Sequence, residues 1–244
     1  MQELGSGPVV CMLHGLILDN LSSWYLASAG ALQATNRVVL YDLRGHGMSE
    51  RPPVGYDSGT MTADLVGLLD EVAPGEHVTL MGSSYGSYVA LKYAMQHSER
   101  VPRLVLVELP LPPDRFRDWE HLLTADLKTL QAAIPKDLQK QLVLRPRRAR
   151  KLLSTVQGLV GDTSLLQDLK AEPRLAEDAV ADFDHPVLLI YGSDSNCLSD
   201  GEWLASTLPG ARLEVLPGSH RILTEQAPQV RTLIESFLAE GQAA

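Results

Sequence analysis

His77-Val78-Thr79-Leu80-Met81-Gly82-Ser83-Ser84-Tyr85-Gly86-Ser87 is the stretch on which the reading of this chain turns. Residues 77–81 form a short run suited to a strand, Gly-x-Ser-x-Gly follows at once, and residues 87–97 then read as a helix. A serine held in a strained strand-to-helix turn leaves no room for bulk two positions to either side. Its hydroxyl is raised above the carboxyl edge of the sheet. Ser84 has glycine at both flanking positions, which excludes Ser83 and Ser87 as nucleophiles. An isolated Gly-Ser turn would carry no chemistry, and the strand before it and helix after it are what make the match specific.

Working outward, similar apolar runs recur at residues 8–13, 37–41, 103–107, 186–191 and 212–216. Each is too short for a helix and rich in Val, Leu and Ile without polar alternation, as in strands of a parallel sheet buried on both faces. Between them, residues 62–72 place Leu65, Val66, Leu68, Leu69 and Val72 on one stripe, and residues 228–239 close the chain as a helix. The alternation predicts an α/β fold with helices on the faces of a mostly parallel sheet. It breaks over residues 111–185, where helices are expected at 118–133, 136–144, 147–159 and 163–170, punctuated by Pro135, Pro146 and Pro173. The expected organisation is therefore one core, residues 1–110 and 186–244, interrupted by a helical cap at 111–185.

Composition narrows the class. The chain has 244 residues, 45% hydrophobic and 21% charged, with a formal net charge of -9. This is enough to bury a sizeable core. The acidic balance argues against binding nucleic acid through its phosphates, and no apolar run is long enough for a membrane span. Two cysteines, Cys11 and Cys197, are too few for a disulfide framework, and the N-terminus lacks the basic start and apolar core of a secretory signal. A cytoplasmic location is the expectation. Among the seven histidines no metal-ligand spacing occurs, and no cofactor is implied.

Four segments in chain order then carry a family resemblance: His14-Gly15 after the first strong strand, Asp42-Leu43-Arg44-Gly45-His46-Gly47-Met48-Ser49 after the second, the Ser84 elbow after the third, and Pro217-Gly218-Ser219-His220 after the last. Together they resemble the α/β-hydrolase superfamily. The resemblance implies a sheet of about six parallel strands, because only seven residues precede the run at Pro8 and little room is left for the family's two leading antiparallel strands. It implies His220 as general base, with the backbone N–H groups of Leu16 and Tyr85 as an oxyanion hole. His14 and His46 belong to motifs that organise loops. A serine nucleophile sets the chain apart from the dehalogenases and epoxide hydrolases of this fold, which attack with aspartate.

The triad acid is where the sequence departs from the family pattern. The resemblance places a carboxylate three positions beyond Gly192, and that position is Ser195, with Asp194 one residue early. Glu108 offers another solution at the end of the run 103–107, a strand end that haloalkane dehalogenases use for the same purpose. A carboxylate joined to four buried aliphatic residues is costly unless paired, and an imidazolium partner would satisfy it. Glu108 is preferred and Asp194 is the alternative.

The resemblance gives the 111–185 insertion the role of a lid over an acyl pocket, with Phe116 and Trp119 as wall candidates. Residues 111–185 hold twelve Lys+Arg and twelve Asp+Glu, whereas the remainder holds nine and eighteen, so the core carries the whole net charge. Within the neutral insertion, Arg145, Arg147, Arg148, Arg150 and Lys151 form a basic run, either a solvated helix face or a dock for an acidic partner such as an acyl carrier protein. The reading is a serine hydrolase acting on a carboxylic ester or thioester. An acyltransferase or cyclase, a carbon–carbon bond hydrolase and a non-catalytic binding protein on the same fold are the alternatives.

Overall fold

The computed structural model describes residues 1–112, 115–116 and 146–240, and the side chains of residues 146 and 148–153 are not described. Its centre is a seven-stranded sheet: β1 (Gln2–Leu4), β2 (Val9–Leu13), β3 (Arg37–Leu40), β4 (Val78–Ser83), β5 (Leu104–Val107), β6 (Val187–Gly192) and β7 (Ala211–Leu216). The spatial order is β1-β3-β2-β4-β5-β6-β7. Six strands are parallel, as expected, and β1 adds a three-residue antiparallel strand on β3, with Gln2 opposite Leu40. The few residues before Pro8 thus do find a place in the sheet.

Strands β2, β4, β5 and β6 are buried residue after residue. Alternate side chains supply two separate cores, one per face. Cys11, Leu13, Leu80, Leu104, Leu106 and Leu189 pack toward α1 (Ser58–Val72) and α2 (Tyr85–Gln96). Val10, Met12, Met81, Val105, Leu188 and Ile190 pack toward a helical segment at residues 22–32, which holds a π-helical turn at Tyr25–Ala29, and toward α8 (Ala227–Ala239). Burying apolar side chains on both faces gives about 25 cal/mol per Å² removed from water and removes any need for polar alternation. β7 differs from expectation: its residues are half-buried and Val215 is exposed, because β7 is the sheet's edge.

Helix α1 starts four residues before the apolar stripe of the sequence. Asp57 caps it, accepting from Thr60 N at 2.9 Å and Thr60 Oγ1 at 2.7 Å, an interaction worth about 1 kcal/mol. The chain leaves the sheet after β5 and re-enters at β6. Between them the described helices are α3 (Pro146–Gly161), α4 (Leu165–Ala171) and α5 (Glu177–Ala181), the first two matching the expected 147–159 and 163–170. The expected helices at 118–133 and 136–144 lie outside the described residues. Two short helices follow the returning strands, α6 (Leu198–Thr207) and α7 (Ile222–Glu225). No helix among the described residues is long and apolar enough to cross a membrane.

Candidate active site

Five adjacent parallel strands, β2, β4, β5, β6 and β7, end on one edge of the sheet. The candidates Leu16, Ser84, Tyr85, Glu108, Asp194 and His220 sit just beyond those ends. Open α/β sheets place their ligands at this carboxyl edge.

Ser84 follows β4 with φ of 52° and ψ of -125°. The elbow forces this conformation, because the helix turns back immediately against the strand. A Cβ at Gly82 would lie 2.3 Å from Ser87 Cα, and one at Gly86 would lie 2.5 Å from the carbonyl oxygens of Leu13 and His14. Both approaches are closer than real Cβ atoms tolerate, so the two glycines of the motif are steric requirements. Ser84 N donates to Val107 O at 2.8 Å, which ties the elbow to β5. Ser87 N and Tyr88 N both donate to Ser84 O, leaving Tyr85 N at the open N-terminus of α2, where helix amides lack intrahelical acceptors.

Ser84 Oγ lies 3.0 Å from His220 Nε2, and His220 Nδ1 lies 3.0 Å from Glu108 Oε2. Glu108 is 1% exposed, and its burial is compensated by three donors. Gly192 N donates to Oε1 at 2.6 Å, while Ser195 Oγ and His220 Nδ1 both donate to Oε2. With Nδ1–H committed to the carboxylate, Nε2 presents its lone pair to the serine hydroxyl. Asp194 is exposed, and its carboxylate accepts from Ser193 Oγ at 3.5 Å. It is not brought to His220. The loop after Gly192 instead turns so that Ser195, at the position where the resemblance expects the acid, donates to the acid of the neighbouring strand.

The β2 end supplies the other wall. His14 Nε2 accepts from Leu43 N at 2.9 Å and His46 Nε2 accepts from Ile17 N at 2.7 Å. Both roles require neutral rings. Burial depresses the His14 pKa to about 3 and lowers that of His46. The two histidines thus organise loops, as their motifs suggest, and His46 fixes the turn that carries Leu16. Among the described residues, the three non-glycine residues with positive φ are Ile17, Ser84 and Glu108, and all three lie at this site.

Two side chains had no clear sequence signal. Ser195 could have been found only by taking the departure from the family pattern as a substitution of role. Asp19 crowds the same side of Gly15 as Ser84: a Cβ there would lie 2.6 Å from Asp19 Oδ2 and 3.1 Å from Ser84 Cβ. Burial raises its pKa, opposed by the Ser23 hydroxyl and the charges of Arg221 and His220.

Phe116, expected on a pocket wall, is 1% exposed, with its ring 5.6 Å from Tyr85 and 5.5 Å from Tyr88. Its apolar ring is more stable among these aromatics than in an open cleft, so it is core. Trp119 and Arg145 lie outside the described residues. Arg147 is exposed, and Arg148, Arg150 and Lys151 fall in the first turns of α3, their side chains not described.

A hydroxyl, an imidazole and a buried carboxylate in hydrogen-bonded series are the working parts of a hydrolase. A family model for the alpha/beta hydrolase fold matches residues 8–153. The chain belongs to the α/β-hydrolase family and is an enzyme of the hydrolase class. An uncharacterized protein of Mycobacterium tuberculosis is 38% identical over 276 residues, covering 96% of this chain and 76% of the relative. The 2-hydroxymuconate semialdehyde hydrolase of Pseudomonas putida is 28% identical over 275 residues, covering 100% and 91%. The crystal structure of the enol-lactonase from Burkholderia xenovorans LB400 shares the fold, with a TM-score of 0.77, 23% identity and coverage of 98% and 95%.

Proposed function

We propose that the protein hydrolyses a carboxylic ester or thioester through an acyl-enzyme on Ser84. The observation that carries this reading is the continuous series from Ser84 Oγ through His220 to the buried Glu108 carboxylate. His220 Nε2 takes the hydroxyl proton as Ser84 Oγ attacks the carbonyl carbon, and Glu108 stabilises the resulting imidazolium. The N–H groups of Leu16 and Tyr85 donate to the oxyanion. Collapse of the tetrahedral intermediate breaks the bond to the leaving group, which takes the proton from His220. Water, deprotonated by the same imidazole, then releases the acid. Asp19 beside the nucleophile disfavours substrates with an anionic group at that point.

Residues 111–185 are proposed to serve as the cap over this edge. The start of α3 favours a second element of the reading, docking of an acidic carrier protein. Its first turn holds no acidic residue and Arg147, Arg148 and Arg150 lie at its positive end, an arrangement opposed by the helix dipole unless an anion offsets it. A carbon–carbon bond hydrolase is the second reading of the chemistry, favoured by the full-length likeness to the Pseudomonas putida hydrolase. Separation of the products formed from an ester and from a 2-hydroxymuconate semialdehyde distinguishes the two. A fluorophosphonate probe is expected to label the native protein and not Ser84→Ala, and ester turnover should fall by roughly four to six orders of magnitude in the variant. Retained labelling or turnover in Ser84→Ala overturns the mechanism.

A further inference from the structure

Beneath His220 lies a side chain that the proposed reaction does not use. Cys197 is a free thiol, fully buried, at the N-cap of α6. Its backbone N donates to Ser195 Oγ at 3.1 Å, and Ser195 in turn donates to Glu108. These bonds fix the start of α6 beside Glu108, and the thiol itself donates to Asn196 Oδ1 at 3.6 Å. One Glu108 carboxylate oxygen, Cys197 Sγ and one His220 ring nitrogen lie within 4.8 Å of one another. They arrive from three loops, after β5, β6 and β7, and the part-exposed edge of His220 gives access from solvent.

We propose that Glu108, Cys197 and His220 form an inhibitory site for zinc or a chemically similar divalent ion. The donor set is one carboxylate oxygen, one sulfur and one imidazole nitrogen, the mixture that borderline-soft zinc accepts. Bonds of about 2.0–2.3 Å to a tetrahedral ion require ligand atoms roughly 3.3–3.8 Å apart, so the loops need to close by about 1.5 Å at most. Burial is the main influence on the thiol and holds it protonated, the carboxylates of Asp200 and Glu108 act in the same sense, and Arg115 opposes them, so an ion must displace the thiol proton to bind. Three protein ligands leave a fourth position for water or the Ser195 hydroxyl.

The chemistry of occupation is specific. Nδ1 must offer its lone pair to the ion, so the ring proton moves from Nδ1 to Nε2. The thiol proton leaves to solvent, so binding releases one proton in all. Nε2–H then points a donor at Ser84 Oγ, and the ring can no longer accept the serine proton. Glu108 likewise exchanges its hydrogen bond to His220 for the metal. The ion therefore holds the site in the wrong tautomer. This consequence rests on the proposed role of His220 as base, whereas the metal site itself does not.

The test is a cobalt titration of the metal-free protein, reading the near-ultraviolet band of a cobalt–thiolate bond, followed by displacement with zinc. The native protein and Cys11→Ser are expected to give the band. Cys197→Ser and Cys197→Ala are expected to lose it, while their ester turnover without metal stays within about twofold. Zinc inhibition should weaken at least about tenfold in both Cys197 variants, the scale seen when a metal site loses support. Should one of them fail to fold, the other carries the comparison. No band in the native protein, or a band and inhibition unchanged in the Cys197 variants, overturns the site. A Cys197-dependent band with no loss of turnover or fluorophosphonate labelling leaves the site standing and overturns the role given to His220.

Discussion

The ends of β5 and β6 are neighbours in the sheet, joined in register from Leu104 opposite Val187 to Val107 opposite Ile190, yet they do opposite work. The β5 end supplies a charge: Glu108, fully buried, left-handed in its backbone and accepting three hydrogen bonds. The β6 end supplies donors, the Gly192 amide and the Ser195 hydroxyl. The position that the resemblance assigns to the acid thus carries its hydrogen-bond partner. A carboxylate and a donor have been exchanged across one strand spacing, about 4.8 Å, and the imidazole meets the same charge from a different strand. The triad is defined by where the charge sits relative to His220, not by which loop carries it.

Three experiments break or sharpen that contrast. Glu108→Gln keeps shape but removes the charge, and kcat should fall by about 10⁴, with the fall measured on a chromogenic ester; a loss under tenfold would transfer the acid's role elsewhere. Returning the charge to the other strand end, Glu108→Ser with Ser195→Asp, should recover at least about tenfold over Glu108→Ser alone, since the two positions already touch. The smallest effect belongs to the β6 donor. Ser195→Ala should lower kcat by about tenfold or less and stability by roughly 1–2 kcal/mol in urea titrations, because one charged hydrogen bond of three is lost. Asp194→Asn, the adjacent control, should leave both unchanged.

Much of this was legible in the sequence because it depends on local rules. The apolar runs at 8–13 and 186–191 are strands since nothing polar interrupts them, and the spacing of Gly82 and Gly86 about Ser84 follows from backbone approaches that only glycine permits. The acid was narrowed to two residues, with Glu108 preferred because a carboxylate joined to buried aliphatic residues needs a partner. Choosing between Glu108 and Asp194 requires knowing which loop bends toward His220, and that is settled by hydrogen bonds between strands 84 residues apart. Phe116 was misplaced for a related reason: an aromatic near a loop reads alike whether it faces a cleft or, as here, Tyr85 and Tyr88. The helical segment at 22–32 went unread because a π-helical turn at Tyr25–Ala29 breaks the regular period of its apolar residues.

The position of Glu108 also bears on how the chain can be re-engineered. The carboxylate stands only a few residues from the first residue of the insertion, and the path between them is fastened by Tyr191, whose hydroxyl donates to Leu109 O at 3.0 Å. A chimera that exchanges insertions between relatives would have its upstream junction almost on top of the acid. Junctions at or beyond Leu111 keep the Tyr191 clasp and the left-handed turn at Glu108 intact. Those placed at Glu108 or Leu109 would graft a new insertion and lose the carboxylate that accepts from the His220 ring. The constraint falls on the core and not on the insertion, so insertions should transplant into this chain less freely than out of it.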